Sequence, residues 1–224
     1  MRNIDFHAHI LPGADHGSEN LNISMKQLAL AKQAGIDTVV ATPHFYPQQE
    51  SIESFLARRA QCAKQLRDAA KGKGLPQILI GAEVQLCPSL DRMDGLEQLC
   101  VEGTNVLLLE LSPNYSVRRY YQVIDHLIYG RKIEVVLAHI DRYSSVHVDF
   151  LLDCGCLAQI NTDSLCRFFS AKRSMQWARS GAVVALGSDI HGTEKGYQTF
   201  LKAKSRLGQT YQTIMSRTED LLFK

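Results

Sequence analysis

The sequence predicts an α/β fold, a distorted seven-stranded (β/α)7 TIM-like barrel built as one domain over residues 1–224. Three observations predict it. Seven short runs of mostly Val, Ile, Leu and Ala recur at 4–9, 38–42, 78–82, 106–109, 135–138, 156–161 and 183–188. Most of them are continuously apolar rather than alternating, as strands covered on both faces are. Segments with apolar residues at helical spacing separate them, and this alternation marks a parallel sheet with right-handed crossovers. An ordinary closed barrel has eight strands, so seven predict one that is distorted or incompletely closed.

The elements follow in order. After the first strand, Leu11-Pro12-Gly13-Ala14-Asp15-His16-Gly17-Ser18 is a turn-rich loop. Residues 24–35 then read as a helix with Leu28, Ala31 and Ala34 on its apolar side, Ser24 as N-cap and Gly35 as its stop. A helix at 50–70, rich in Ala, Leu, Gln and Arg, runs out in Gly72-Lys73-Gly74 before the third strand. A short helix at 96–99 precedes the fourth strand, 116–129 the fifth, 146–152 the sixth and 170–179 the seventh. From Thr193 onward, Phe200, Ala203 and Leu207, then Tyr211, Ile214 and Met215, mark one or two amphipathic helices packed on the barrel. No linker, low-complexity tract or repeat asks for a second domain.

Composition narrows the class. Hydrophobic residues make up 45% and charged residues 21% of the chain, ordinary for a globular protein with a sizeable core. A formal charge of +2 argues against nucleic acid or an anionic membrane as the main partner. Arg118-Arg119-Tyr120-Tyr121 reads as a partly exposed helix face rather than a nucleic-acid groove. The N-terminus enters a strand at once and no apolar stretch is long enough to span a bilayer, so the expected location is the cytoplasm, without membrane insertion. Cys62, Cys87, Cys100, Cys154, Cys156 and Cys166 lack the spacing of a structural zinc site and are expected to be reduced fillers, with Cys154-Gly155-Cys156 as a redox pair the minor reading. Self-association is compatible with the sequence.

Folding does not require an imidazole or carboxylate after an apolar strand, yet six strand ends carry one. His7 and His9 close the first, His44 follows the second, Glu83 the third, Glu110 the fourth, His139 the fifth, and Asp189 and His191 the seventh. Parallel strands in a barrel bring such ends to one rim. One histidine after a strand is more often a cap or a packing residue; six ends repeating the choice point to a multinuclear metal site. Carboxylates can bridge cations, and imidazoles suit manganese, iron or zinc more than magnesium or calcium. A water bridging two such ions ionises near neutrality, at a pKa of about 7, and the hydroxide is the expected nucleophile.

Taken together, His7-Ala8-His9, Thr42-Pro43-His44, Gly81-Ala82-Glu83, Glu110, Ala138-His139-Ile140-Asp141-Arg142-Tyr143 and Ser188-Asp189-Ile190-His191 resemble the polymerase and histidinol phosphatase (PHP) superfamily. The loop His9-Ile10-Leu11-Pro12-Gly13 with Asp15-His16-Gly17-Ser18 is similar to that of the capsule-type, metal-dependent bacterial protein tyrosine phosphatases. The resemblance implies three divalent cations, manganese first and iron or zinc as alternatives, held by His7, His9, His44, Glu83, Glu110, His139, Asp189 and His191, with Arg142 on the phosphate. It further implies hydrolysis of phosphotyrosine on a protein, a tyrosine autokinase tail, in capsule or exopolysaccharide regulation. His191 or Asp189 is the candidate to protonate the leaving oxygen, although a phenolate leaves readily enough to make a general acid dispensable.

Two positions depart from that pattern. The family loop carries two acids where this chain has Asp15-His16, so either residue is the candidate loop ligand. Lys195 stands where the family has a second phosphate-binding arginine, and offers a point charge instead of a fork. Tyr46, two residues after His44, is a candidate wall for an aryl group. No cysteine is followed six residues later by arginine, which excludes a cysteine-dependent tyrosine phosphatase. The remaining alternatives are a small-molecule phosphatase of histidinol-phosphatase type, a metal-dependent nuclease and a noncatalytic metal-binding regulator.

Overall fold

The structure, a computed structural model, describes residues 1–111, 117–167, 171–192 and 196–223. All seven expected strands form, but the described residues contain nine strands in two parallel sheets instead of seven in one. Strands β1 (Ile4–Ala8), β2 (Thr38–Ala41) and β4 (Gln77–Ile80) pair in the order β1-β2-β4. The second sheet holds β3 (His44–Phe45), β5 (Glu83–Gln85), β6 (Val106–Glu110), β7 (Glu134–Leu137), β8 (Leu157–Asn161) and β9 (Val183–Gly187), paired in that order.

The two extra strands have a local cause. The second and third predicted strands break near their ends, at Thr42-Pro43 and at Gly81-Ala82, and each resumes as a short strand of the other sheet. Pro43 has no N–H to donate to a ladder. The breaks lie side by side: Gly81 N–H donates to Ala41 O at 2.9 Å and Glu83 N–H to Pro43 O at 3.1 Å. His44 and Glu83 therefore become direct register partners in β3 and β5.

No ladder joins β9 to β1 among the described residues, yet the chain leaving β9 is tied to β1. Ser188 donates to the buried Asp5 carboxylate from its backbone N–H (2.8 Å) and its hydroxyl (2.6 Å). Asp189 N–H donates to His7 O at 2.8 Å, and His9 N–H to Ile190 O at 3.2 Å. Burial pushes the Asp5 carboxyl up to about 6 although the Ser188 bonds favour its ionised form.

Helix α1 (Leu21–Gln33) starts three residues earlier than expected because Asn20, not Ser24, is its cap: the Asn20 side chain accepts from Ile23 N–H. Ser24 is buried and its hydroxyl meets that of Ser18 at 2.7 Å, which fastens the helix to the loop after β1. Helix α2 (Ile52–Ala70) is capped by Ser51, and its Arg58 donates to Ala14 O, pinning the same loop. Helix α3 (Val117–Asp125) runs into a π-helical turn at His126–Gly130. Helices α4 (Ser145–Asp153), α5 (Ala171–Ser180), α6 (Gly196–Leu207) and α7 (Gln209–Leu222) complete the chain. The last one packs over the β9 and β1 side, with Thr218 Oγ1 donating to Val184 O at 2.7 Å. No helix among the described residues is long and apolar enough to cross a membrane.

Replacing Asp5 by alanine leaves Ser188 N–H buried without an acceptor and unties the β9 exit from β1. A loss of roughly 2–4 kcal/mol is expected, read from urea unfolding of the chelated protein.

Candidate metal centre

Glu83 opens β5 at the point where the sheets meet, and it is only 1% exposed. Its Oε2 lies 3.2 Å from His7 Nε2, 3.3 Å from His9 Nε2 and 3.0 Å from His44 Nδ1, while its Oε1 lies 2.8 Å from His139 Nε2. Asp189 Oδ1 faces the same group, 3.6 Å from His7 Nε2 and 3.4 Å from His9 Nε2. The two imidazole Nε2 atoms are themselves 3.1 Å apart.

These spacings test whether a cation fits. Five of the pairs among the donor atoms of His7, His9, Glu83 and Asp189 sit 3.1–3.6 Å apart, edges of a small polyhedron. A regular tetrahedron with edges near the middle of that range has its centre about 2.0 Å from each corner, the length of a zinc–imidazole or metal–carboxylate bond. The buried His44 Nδ1 has no hydrogen-bond partner although Glu83 is close, as expected for an atom that serves as a ligand. Three triads satisfy a ligand-spacing criterion, with donor atoms within 4.8 Å of one another: His7, His9 and Asp189; His44, Glu83 and Glu110; His9, His44 and His191. The residues present fit a transition-metal centre.

The surroundings of the rings set which nitrogen faces inward. His9 Nδ1 meets Asp15 Oδ2 at 2.7 Å, His7 Nδ1 meets Gln159 Oε1 at 3.3 Å, His139 Nδ1 meets Tyr143 Oη at 3.2 Å and His191 Nδ1 meets the Asp189 carbonyl at 2.9 Å. With the proton on Nδ1, each ring offers its Nε2 lone pair to the centre, the usual arrangement of metal-ligating histidine. Asp15 is engaged at both oxygens, accepting from Gly17 N–H (2.9 Å) and His44 N–H (3.0 Å) as well as facing His9. The His16 ring, in contrast, stacks over the centre, its centroid 4.9 Å from His44 and 4.7 Å from His191.

Charge is sharply sorted. Burial opposes ionisation of Asp15, Glu83 and Asp189, yet neighbouring imidazoles hold all three carboxyls far below their usual range. Glu110 shares Glu83's neighbourhood without enough compensation, and burial with that like charge pushes it up to about 7. Burial pulls the His7 and His9 imidazoles down, but the surrounding carboxylates outweigh it and raise both. His44 goes the other way, to about 4, because burial dominates and other imidazoles crowd it.

A cavity of about 460 Å³ opens over the cluster, lined by His16, His44, Tyr46, Glu110, Arg142, Asp189 and His191. Tyr46 stacks on His44 with centroids 5.1 Å apart and planes 16° from parallel. Arg142, half exposed at the mouth, forms an ion pair with Asp189 Oδ2. Lys195 lies outside the described residues. Every other residue expected at the site is at this rim, although Asp15 points at His9 and at backbone.

Sequence reasoning passed over Asp5, Tyr143, Gln159, Asn161 and Ser188. Gln159 and Asn161 alternate in an otherwise apolar strand, which places both on one face, and that period-two pair was the available signal. The backbone is special here as well: His139 (φ 32°) and Asp189 (φ 51°) are two of only three non-glycine residues with positive φ among the described residues. Such strain concentrates at functional sites.

The family model for capsular polysaccharide synthesis, CpsB/CapC, matches residues 3–222. The chain belongs to the CpsB/CapC family. A relative, the tyrosine-protein phosphatase YwqE of Bacillus subtilis (strain 168), is 26% identical over 201 residues, covering 85% of this chain and 78% of that protein. A solved structure from work on YwqE of Bacillus subtilis and CpsB of Streptococcus pneumoniae, described as metal-dependent tyrosine phosphatases, superposes with a TM-score of 0.83 at 23% identity and covers 98% of this chain and 94% of that one. Histidinol phosphate phosphatase of Lactococcus lactis, solved with zinc, L-histidinol and phosphate, gives 0.60 at 15% identity over 92% and 94% of the two chains.

Gly17 is the family-loop residue most exposed to a steric test, since an added Cβ would collide with that of His9 and lie 2.8 Å from His9 O. Gly17→Ala is expected to lift the loop away from β1 and weaken zinc binding roughly 10–100-fold in a chelator competition, by the mechanism of a lost supporting contact. Metal loading itself is expected to raise Tm. At free metal one hundred times Kd the gain is about 2.7 kcal/mol, roughly 5–10 °C for a chain of this size, reversed by chelator in a thermal melt.

Proposed function

We propose that this CpsB/CapC protein is a metal-dependent protein tyrosine phosphatase. The observation that carries the reading is the Glu83-centred donor cluster at metal-ligand spacing, lying directly under a cavity with Arg142 at its mouth. The metal-dependent tyrosine phosphatases to which the fold is similar support it. In this reading the two sheets would be arcs of one distorted barrel, supported by the Asp189-to-His7 and His9-to-Ile190 backbone bonds between the β9 exit and β1.

Three divalent cations would be held by this set. His7, His9, Glu83 and Asp189 would take one, Glu83, Glu110 and His139 a second, and His16, His44 and His191 a third. The carboxylate-rich inner positions suit manganese, and the imidazole-only outer one suits iron or zinc. Bound cations would neutralise phosphoryl oxygens and acidify a water for attack on phosphorus. Of the two loop residues, His16 is the ligand and Asp15 the partner that keeps the His9 proton on Nδ1.

The protein's own groups then position and neutralise. Arg142 is placed to bind phosphoryl oxygens, and Asp189 Oδ2 orients its guanidinium. A loose, charged transition state for phosphoryl transfer depends chiefly on such electrostatic positioning. Asp189 is held ionised and the His191 Nδ1 proton is engaged by the Asp189 carbonyl, so neither is poised to protonate the leaving group, and the phenolate of tyrosine departs unaided. Tyr46 supplies a flat wall for the aryl ring. Lys195 is proposed as a second phosphate contact. The substrate would be the tyrosine-rich tail of an autokinase at the cytoplasmic face of capsule export.

A single kinetic panel tests this. Manganese-loaded protein is offered a phosphotyrosine peptide, a phosphoserine peptide, histidinol phosphate and single-stranded DNA, with chelated controls. The phosphotyrosine peptide is expected to be hydrolysed fastest; equal or faster turnover of histidinol phosphate would favour a small-molecule phosphatase. His44→Ala is expected to lower kcat/KM at least 100-fold, about 2.7 kcal/mol of transition-state stabilisation. Changing all six cysteines to serine should leave the metal requirement intact. Arg142→Ala is expected to cost roughly 100–1000-fold in kcat, with Arg142→Lys between it and the parent.

A further inference from the structure

β8 is the strand from which no ligand was expected, and its buried polar residues form a chain of hydrogen bonds with only one consistent polarity. The starting point is a group whose role is not in doubt: the backbone N–H of His139 is a donor. It lies 2.7 Å from Gln159 Oε1, which fixes the Gln159 amide with its oxygen toward β7. Gln159 Nε2 then donates to Asn161 Oδ1 at 2.9 Å, fixing the second amide, and Asn161 Nδ2 donates to Asp189 Oδ2 at 2.8 Å. Both residues are buried, at 0% and 3% exposure, so water offers the amides no alternative partners.

The same Gln159 oxygen lies 3.3 Å from His7 Nδ1. An amide oxygen only accepts. His7 Nδ1 must therefore carry a proton, so that a neutral His7 ring presents its Nε2 lone pair toward Glu83, His9 and Asp189. At the far end, Asp189 Oδ2 is taken up by Asn161 and Arg142, which leaves Oδ1 for the cluster. Room for this is built in at Gly187 on β9, where a Cβ would stand 2.6 Å from Gln159 Nε2 and 2.6 Å from His7 Cβ.

We infer that Gln159 is a positioning residue of the metal centre: through one amide it sets His7 to ligate by Nε2 and, by way of Asn161, sets Asp189 to ligate by Oδ1. This deepens the metal reading and rests on it. Supporting groups that hold ligand histidines are worth roughly 10–100-fold in metal affinity.

The test uses the full-length chain with zinc as probe, and reads affinity by chelator competition. Gln159→Met removes the acceptor at similar volume and is expected to weaken zinc binding about 10–100-fold; Gln159→Glu keeps the acceptor for His139 N–H and His7 Nδ1–H but loses the donor to Asn161, and is expected to weaken binding less than Gln159→Met, by no more than about tenfold. Long-range 1H–15N spectra of the zinc-loaded parent are expected to show His7 bound through Nε2 with its proton on Nδ1. Ligation of His7 through Nδ1, a folded Gln159→Met variant with parental affinity, or a loss in Gln159→Glu as large as in Gln159→Met would each overturn the inference. Should Gln159→Met fail to fold, the parental spectrum and the glutamate variant still decide. A parent chain that binds no zinc defeats the metal centre itself, a different result from a centre that binds but ignores Gln159.

Discussion

Glu83 meets four imidazoles, and the folding problem of this chain is largely the problem of keeping it there. A carboxylate almost wholly removed from water costs several kcal/mol unless charge and hydrogen bonds compensate. Here the compensation comes from His7, His9 and His139, each within 3.3 Å of a Glu83 oxygen, while His44 approaches to 3.0 Å without a hydrogen bond. Those residues belong to β1, the chain just after it, β3 and the turn after β7, so satisfying one carboxylate fixes the relative placement of both sheets. The breaks at Pro43 and Gly81 follow from the same requirement. An unbroken second strand would carry His44 onward in the first sheet, whereas the break lets it pair in register with Glu83.

The strain and the close approaches cluster around that carboxylate. His139 and Asp189 adopt positive φ, a conformation that L side chains avoid, and both put a side chain on the centre. Each strained turn is restrained from outside: His139 by its N–H bond to Gln159, Asp189 by its N–H bond to His7 O and by the Ser188–Asp5 clasp beside it. Gly17 and Gly187 remove a Cβ where the His9 and His7 side chains need space. Backbone conformation and ligand geometry are in this sense one constraint, because the turns persist only while their buried partners remain paired.

How much of this the sequence disclosed depends on what kind of signal each residue leaves. The convergence of His7, His9, His44, Glu83, Glu110, His139, Asp189 and His191 was legible because such residue types are out of place after apolar strands and recur at six strand ends. The helices were legible from periodicity, but the cap of α1 was not, since Asn20 and Ser24 are equally good cap residues and only the burial of Ser24 separates them. The strand breaks at Thr42-Pro43 and Gly81-Ala82 were hidden because both sides of each break remain apolar and strand-like. The different settings of Asp15 and His16 could not be read from their order in the chain; they depend on which way a tight turn throws each side chain, and Gly17 N–H claims one Asp15 oxygen.

The distribution of charge across the centre bears on how it handles a phosphate. Deep in the site Glu83, Asp189 and Asp15 are held ionised, and an anion would be repelled there without cations to offset them. Toward the mouth the residues become imidazole, phenol and guanidinium: His16, His44, Tyr46, His191 and Arg142. Among the lining groups only Glu110 and Asp189 are acidic, and Arg142 already pairs with Asp189. A phosphate monoester therefore meets donors and flat rings first, and the buried carboxylates behind them. The ion pair with Asp189 holds the half-exposed Arg142 at the mouth. The same carboxylate whose Oδ1 faces the imidazole cluster thus also holds the arginine through Oδ2, so that the arrangement of the cluster and the placement of Arg142 are linked through Asp189.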